Sequence, residues 1–194
     1  MDGELNTIGT NGKHLTHGPA WCVLMAVVPL LLFSSRLLRA QEDERAVRAA
    51  FVFNLTKYVS WPQPHNRLVL GVVGQGSMGA VLKQVLDGKV SDGRRIVVVL
   101  HPSDAELRDC DLLYVEESSQ VTIRSILDRI RSRSVLTIGD ADQFTRTGGM
   151  VALVRSGDQI EIHVNLDTLR GRQLEMSSRL LSLAVIVSGS GGIR

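Results

Sequence analysis

Four apolar runs constrain the fold more than any other feature of this chain. Residues 67–73 (RLVLGVV), 95–100 (RIVVVL), 111–115 (DLLYV) and 134–138 (SVLTI) lack the in-out alternation of a half-solvated strand. A strand that is apolar on both sides needs cover on both sides, which is the condition of a strand inside a parallel sheet. Between the runs lie segments with helical spacing, over 43–60, 80–86 and 121–131. Strand–helix alternation of this kind predicts parallel strands joined by right-handed crossovers, with helices on both faces. After residue 148 the pattern changes. Residues 150–154 and 159–164 alternate with period two around Ser156-Gly157-Asp158, as a β-hairpin does. Pro62 and Asp87-Gly88 supply helix stops. The fold class is therefore α/β: a single-domain three-layer sandwich, its sheet mostly parallel with an antiparallel hairpin at one edge. A closing helix is expected over 177–187, capped by Ser177 or Ser178, with a disordered tail over 188–194.

The first 40 residues stand apart from this pattern. Residues 20–33 (AWCVLMAVVPLLLF) are continuously apolar, the length of a signal-peptide core and short of a membrane span. Ser34-Ser35 and Ala40-Gln41 offer an exit, so 1–40 read as an export signal, with an uncleaved inner-membrane anchor as the alternative. The domain proper is expected over 43–187. A formal charge of +2, with no dense run of Lys or Arg along the chain, argues against a nucleic-acid partner. Once residues 1–40 are set aside, Cys110 is the remaining cysteine. It opens an apolar strand, and burial is the expected state, with pairing to another chain the alternative.

Two motifs invite a catalytic or cofactor reading. Gly74-Gln-Gly76-Ser77-Met-Gly79 matches G-x-G-x-x-G between a strand and a helix, where a dinucleotide pyrophosphate could sit. The next strand, however, ends Val99-Leu100-His101-Pro102 with no acid to hold a ribose. The same stretch is one residue short of a nucleophile elbow at Ser77. His65, His101 and His163 are scattered with nothing to make them converge, and one cysteine with scattered histidines is not a zinc site. The expectation is no cofactor, no metal and no catalysis. A small-molecule sensor or carrier would use the crevice at the carboxyl ends of the strands, formed by Gly74, Gly76, Ser77, His101 and Asp140.

The helix over 43–60 carries the more informative signal. With Val47 on the core line, Ala50, Phe51, Asn54, Leu55 and Tyr58 follow it. Asn54 then points inward or to the boundary, where its amide needs partners, and the backbone of a neighbouring loop is the expected one. Val52, Phe53 and Val59 fall off that line, so the helix is apolar over more than one face. Either another element covers the surplus or another molecule does.

Ala49-Ala50-Phe51, Phe53-Asn54, Lys57-Tyr58-Val59 and Trp61-Pro62 resemble the opening of the YfiR-like family of exported bacterial regulatory proteins. The similarity continues in the glycine of LVLGVVG, Cys110 to Tyr114, LTIGD at 136–140, Gly148-Gly149, Val164-Asn165 and Ser177-Ser178-Arg179-Leu180-Leu181-x-Leu183-Ala184. The resemblance implies a periplasmic α/β regulator without catalysis, one that binds and restrains the periplasmic portion of an inner-membrane signalling protein. For the best-known member that protein is a diguanylate cyclase, with consequences for cyclic di-GMP and biofilm. With the surplus apolar surface of the first helix as the docking face, Phe53, Asn54, Lys57, Tyr58 and Trp61 are the candidate partner or ligand contacts, and homodimer formation is left open. Family redox control through a cysteine pair in the loop before the hairpin does not carry over, because residues 143–151 contain no cysteine.

Overall fold

The structure, a computed structural model, describes residues 41–62, 65–117 and 119–187. The expected leader (1–40) and tail (188–194) lie outside the described residues. Among the described residues no helix is long and apolar enough to cross a membrane.

Helix α1 runs over 41–58 and leads into the two-residue strand β1 (Val59–Ser60). Next come β2 (Arg67–Gly74), α2 (Met78–Leu86), β3 (Val90–Ser91), β4 (Arg94–Leu100), α3 (Asp104–Leu107) and β5 (Leu112–Glu116). The second half holds α4 (Gln120–Arg129), β6 (Leu136–Gly139), β7 (Val151–Ser156), β8 (Gln159–Asn165), α5 (Leu166–Gly171), β9 (Glu175–Met176), α6 (Ser178–Leu181) and β10 (Val185–Val187). The eight-stranded sheet has the order β10-β8-β7-β6-β5-β2-β4-β3, and β1 pairs with β9 in a separate ribbon. Strands β4, β2, β5, β6 and β7 are parallel, and β7–β8 is the antiparallel hairpin. The α/β sandwich read from the apolar runs is the observed fold.

Period two along each strand sends alternate residues to opposite layers. Leu68, Leu70 and Val72 of β2 meet α1, α2 and the α5–α6 segment through Ala49, Val52, Leu55, Leu82, Leu86, Leu169 and Leu180. Val69, Leu113, Val115 and Ala152 face the other way, onto Ile123, Ile126 and Leu127 of α4. Phe144 is fully buried on that second face, and its ring occupies the space a Cβ at Gly139 or Gly149 would need (2.6 and 2.2 Å). That contact is the physical content of LTIGD followed by Gly148-Gly149.

Two expectations about elements need correction. The closing helix stops after one turn: Ser177 caps α6, and β-branched Val185, Ile186 and Val187 then pair in parallel with β8. The hairpin therefore sits one strand in from the rim. Helix α1 is also rotated from its expected phase by roughly a third of a turn. Its buried line is Ala49, Val52, Leu55, Thr56 and Val59, while Val47 is 45% exposed. Apolar residues occupy so many positions of this helix that periodicity could not fix which line faces the sheet. Small Ala49 and Thr56 allow the close approach.

Candidate functional site

The rotation of α1 decides which of its residues meet solvent. Asn54 and Lys57 are exposed, and Phe53 and Tyr58 are half-buried. Asn54 is thus not the inward amide. The inward polar residue of α1 is Thr56, whose Oγ1 donates to Phe53 O (2.6 Å) and shares a hydroxyl–hydroxyl bond with buried Ser91 of β3 (2.7 Å). The amide that ties a helix to a loop is Asn165, with Nδ2 donating to Thr145 O (3.0 Å) and Oδ1 accepting from Thr168 N at the start of α5 (3.0 Å). On the outer side, Lys57 Nζ lies 4.5 Å and Lys89 Nζ 5.5 Å from the centre of the Phe53 ring. Such contacts contribute roughly 0.5–1 kcal/mol at exposed sites.

Trp61 does not join this surface. It is 8% exposed, and its Nε1 donates to Asp111 O (3.1 Å). Arg94 covers the ring at 5.1 Å. Pro62 ends the helical stretch, as expected, but the Trp before it folds back onto the sheet instead of outward. The aromatic patch therefore reduces to Phe53 and Tyr58 with Asn54, Lys57 and Lys89.

The glycine-rich turn is already occupied. Glu116, at the end of β5, lays its carboxylate against the N-terminus of α2, where Met78 N donates to Oε1 (3.0 Å) and Oε2 (3.1 Å). A Cβ at Gly76 would lie 1.9 Å from Glu116 Oε1. One at Gly74 would lie 2.3 Å from Glu116 O. Gly74 also has φ +134°, a conformation that side chains oppose. The glycines thus admit an anion to a helix N-terminus, as the motif predicts, and the anion belongs to the chain itself. Ser77 caps α2 without a side-chain hydrogen bond. Ser77 and His101 are both exposed, and no hydrogen bond joins them.

Asp140, the fifth residue of that crevice, belongs to a polar cluster which sequence reasoning did not assemble. Tyr114 and Glu116 come from β5, Asp140 follows β6, and Arg48 reaches in from α1. Arg48 is ion-paired with Glu44, which also meets Arg155 of β7 at 2.6 Å. Burial raises the Asp140 carboxyl above the usual aspartate range, Arg48 opposes the shift, and Glu116 adds to it. Burial likewise raises the Tyr114 phenol, with Asp140 next in effect. The Tyr114 hydroxyl approaches Asp140 without a well-formed hydrogen bond, and Arg48 Nε is similarly buried without one. The one available signal was Glu116, an acid at the end of the strand beside the glycine turn.

The remaining candidate groups stay apart. His163 Nε2 lies 3.1 Å from Glu161 Oε2 on the strand that β10 flanks. Cys110 is buried, its Sγ donates to Glu106 O (3.3 Å), and burial pushes the thiol up to about 11. Among the described residues no group of three or more His, Cys, Asp or Glu is placed to hold a metal ion.

A comparison with curated proteins finds no match. The YfiR/HmsC-like family model, by contrast, matches residues 45–185, from the early turns of α1 to the first residue of β10. That family is periplasmic and regulatory, and is known in cyclic di-GMP regulation. With the match covering most of the chain, and the helix-one and closing motifs falling on elements of a single α/β unit, the chain belongs to the YfiR/HmsC-like family.

Proposed function

We propose that this chain is an exported, non-catalytic regulator that binds and restrains the periplasmic portion of an inner-membrane signalling enzyme, a diguanylate cyclase, and so limits cyclic di-GMP and biofilm formation. Family membership supports the setting. The observation that carries the docking site is the half-exposed Phe53 ring with two ammonium groups within 5.5 Å of its centre on the outer side of α1, beside Asn54 and Tyr58. An aromatic anchor with a cationic surround suits a partner surface that is apolar at its centre and acidic at its rim.

The test is co-purification of the tagged chain with membranes carrying the cyclase, alongside cellular cyclic di-GMP. Phe53→Ala with Lys57→Glu is expected to reduce capture about tenfold or more and to raise cyclic di-GMP, with the melting temperature nearly unchanged. Undiminished capture by that variant would remove α1 from the interface. The sensor alternative at Gly74, Gly76, Ser77, His101 and Asp140 has weaker support, because Glu116 fills the anion position there.

A further inference from the structure

The opposite edge of the sheet, where β2, β5 and β6 begin, opens onto a cleft of about 400 Å³. Arg67, Arg108 and Arg133 line it, with Trp61 as one wall and the aliphatic side chains of Val69 and Val135 among its apolar lining. These three arginines are 25 or more residues apart in sequence, so no basic run announces them; the topology brings them together.

The charges do not balance within the cleft. Asp109 and Asp111 are its acids, and Asp111 is committed elsewhere: Oδ2 accepts from Val69 N (2.8 Å), and Oδ1 faces His65 Nδ1 at 3.5 Å. Among the described residues the Arg67 and Arg108 guanidiniums make no hydrogen bond or ion pair. Arg133 uses one nitrogen, Nη2, on Arg108 O (2.8 Å), which leaves most of its fork open. Arg172 stands just behind and donates to Ile130 O (2.8 Å). With Asp111 engaged, Asp109 alone faces three guanidiniums, so positive charge is in excess there, and the guanidinium forks match carboxylate and phosphate oxygens in geometry. The volume suits a small organic molecule, and the apolar wall and lining suit its carbon skeleton.

We propose that this cleft binds a small soluble organic anion through a carboxylate or phosphate group, held by Arg67, Arg108 and Arg133 with its apolar part against Trp61. The site is separate from the α1 surface, and the inference stands whether or not that surface docks a partner. Full-length protein carrying Trp21→Phe retains Trp61 as its one tryptophan, which serves as the reporter. Titration with citrate and with inorganic pyrophosphate at low ionic strength should give a saturable change in its fluorescence. Arg67→Ala with Arg133→Ala should weaken that binding at least tenfold, and Lys57→Glu should leave it unchanged. Should the double variant fail to fold, Arg67→Ala alone, an exposed side chain with no hydrogen bond or ion pair among the described residues, should weaken it severalfold. Three results would overturn the proposal: no saturable response to either anion, full affinity in the arginine variants, or a response to phosphatidylglycerol vesicles alone. The last would assign the same chemistry to a membrane surface.

Discussion

Asp111 engages every polar atom it has. Its N donates to Val69 O (2.9 Å), and its O accepts from both Leu136 N (2.9 Å) and Trp61 Nε1. Its carboxylate meets Val69 N and His65. Trp61 is therefore the peg by which the segment after α1 is fixed to the amino edge of the sheet. Trp61→Ala should cost about 3–5 kcal/mol in denaturant unfolding, because a buried ring and its hydrogen bond go together. Trp61→Phe retains most of the bulk and should cost less, about 1–2 kcal/mol. An alanine variant as stable as the parent would contradict that burial. The Trp-Pro pair was legible as a helix stop. What the Trp does next was not, because its acceptor lies 50 residues away and nothing local marks it.

Among the elements, α2 shows how a motif can specify a geometry without specifying its occupant. Strand, glycine turn and helix N-terminus stand where G-x-G-x-x-G places them, and the carboxylate of Glu116 takes the place of a phosphate. Gly76→Ala should destabilise the chain by about 1–2 kcal/mol, since its methyl group must push the Glu116 carboxylate off Met78 N. Much of that loss should disappear in a Glu116→Ala background, and a double-mutant cycle by thermal unfolding measures the coupling. Equal costs in both backgrounds would place the strain elsewhere. Helix α1 teaches the complementary lesson. Its existence and its end could be read from spacing and Pro62, but its facing could not, because a helix apolar on several sides has no unique phase. The inward Asn54 went with that phase.

For the whole molecule, the layer order followed from doubly apolar strands, whereas the rim did not: β10 is three residues long and reads as the tail of a helix. The Asp140 cluster is also a property of the whole, joining α1, β5 and the end of β6. A carboxyl whose folded pKa is raised binds its proton more readily in the folded chain, so unfolding releases a proton between the two pKa values. Stability from this group is greatest below the ordinary aspartate range and falls as pH rises through the raised folded value. Asp140→Asn should remove that component, flattening the melting temperature between acidic and neutral pH, and an unchanged profile would refute the assignment. The glycine turn carries a last consequence. Its carboxylate cannot diffuse away, and a tethered group acts at an effective concentration of roughly millimolar or more. Any free nucleotide must outcompete a resident that is never diluted, so that loop keeps its shape whatever solutes surround it.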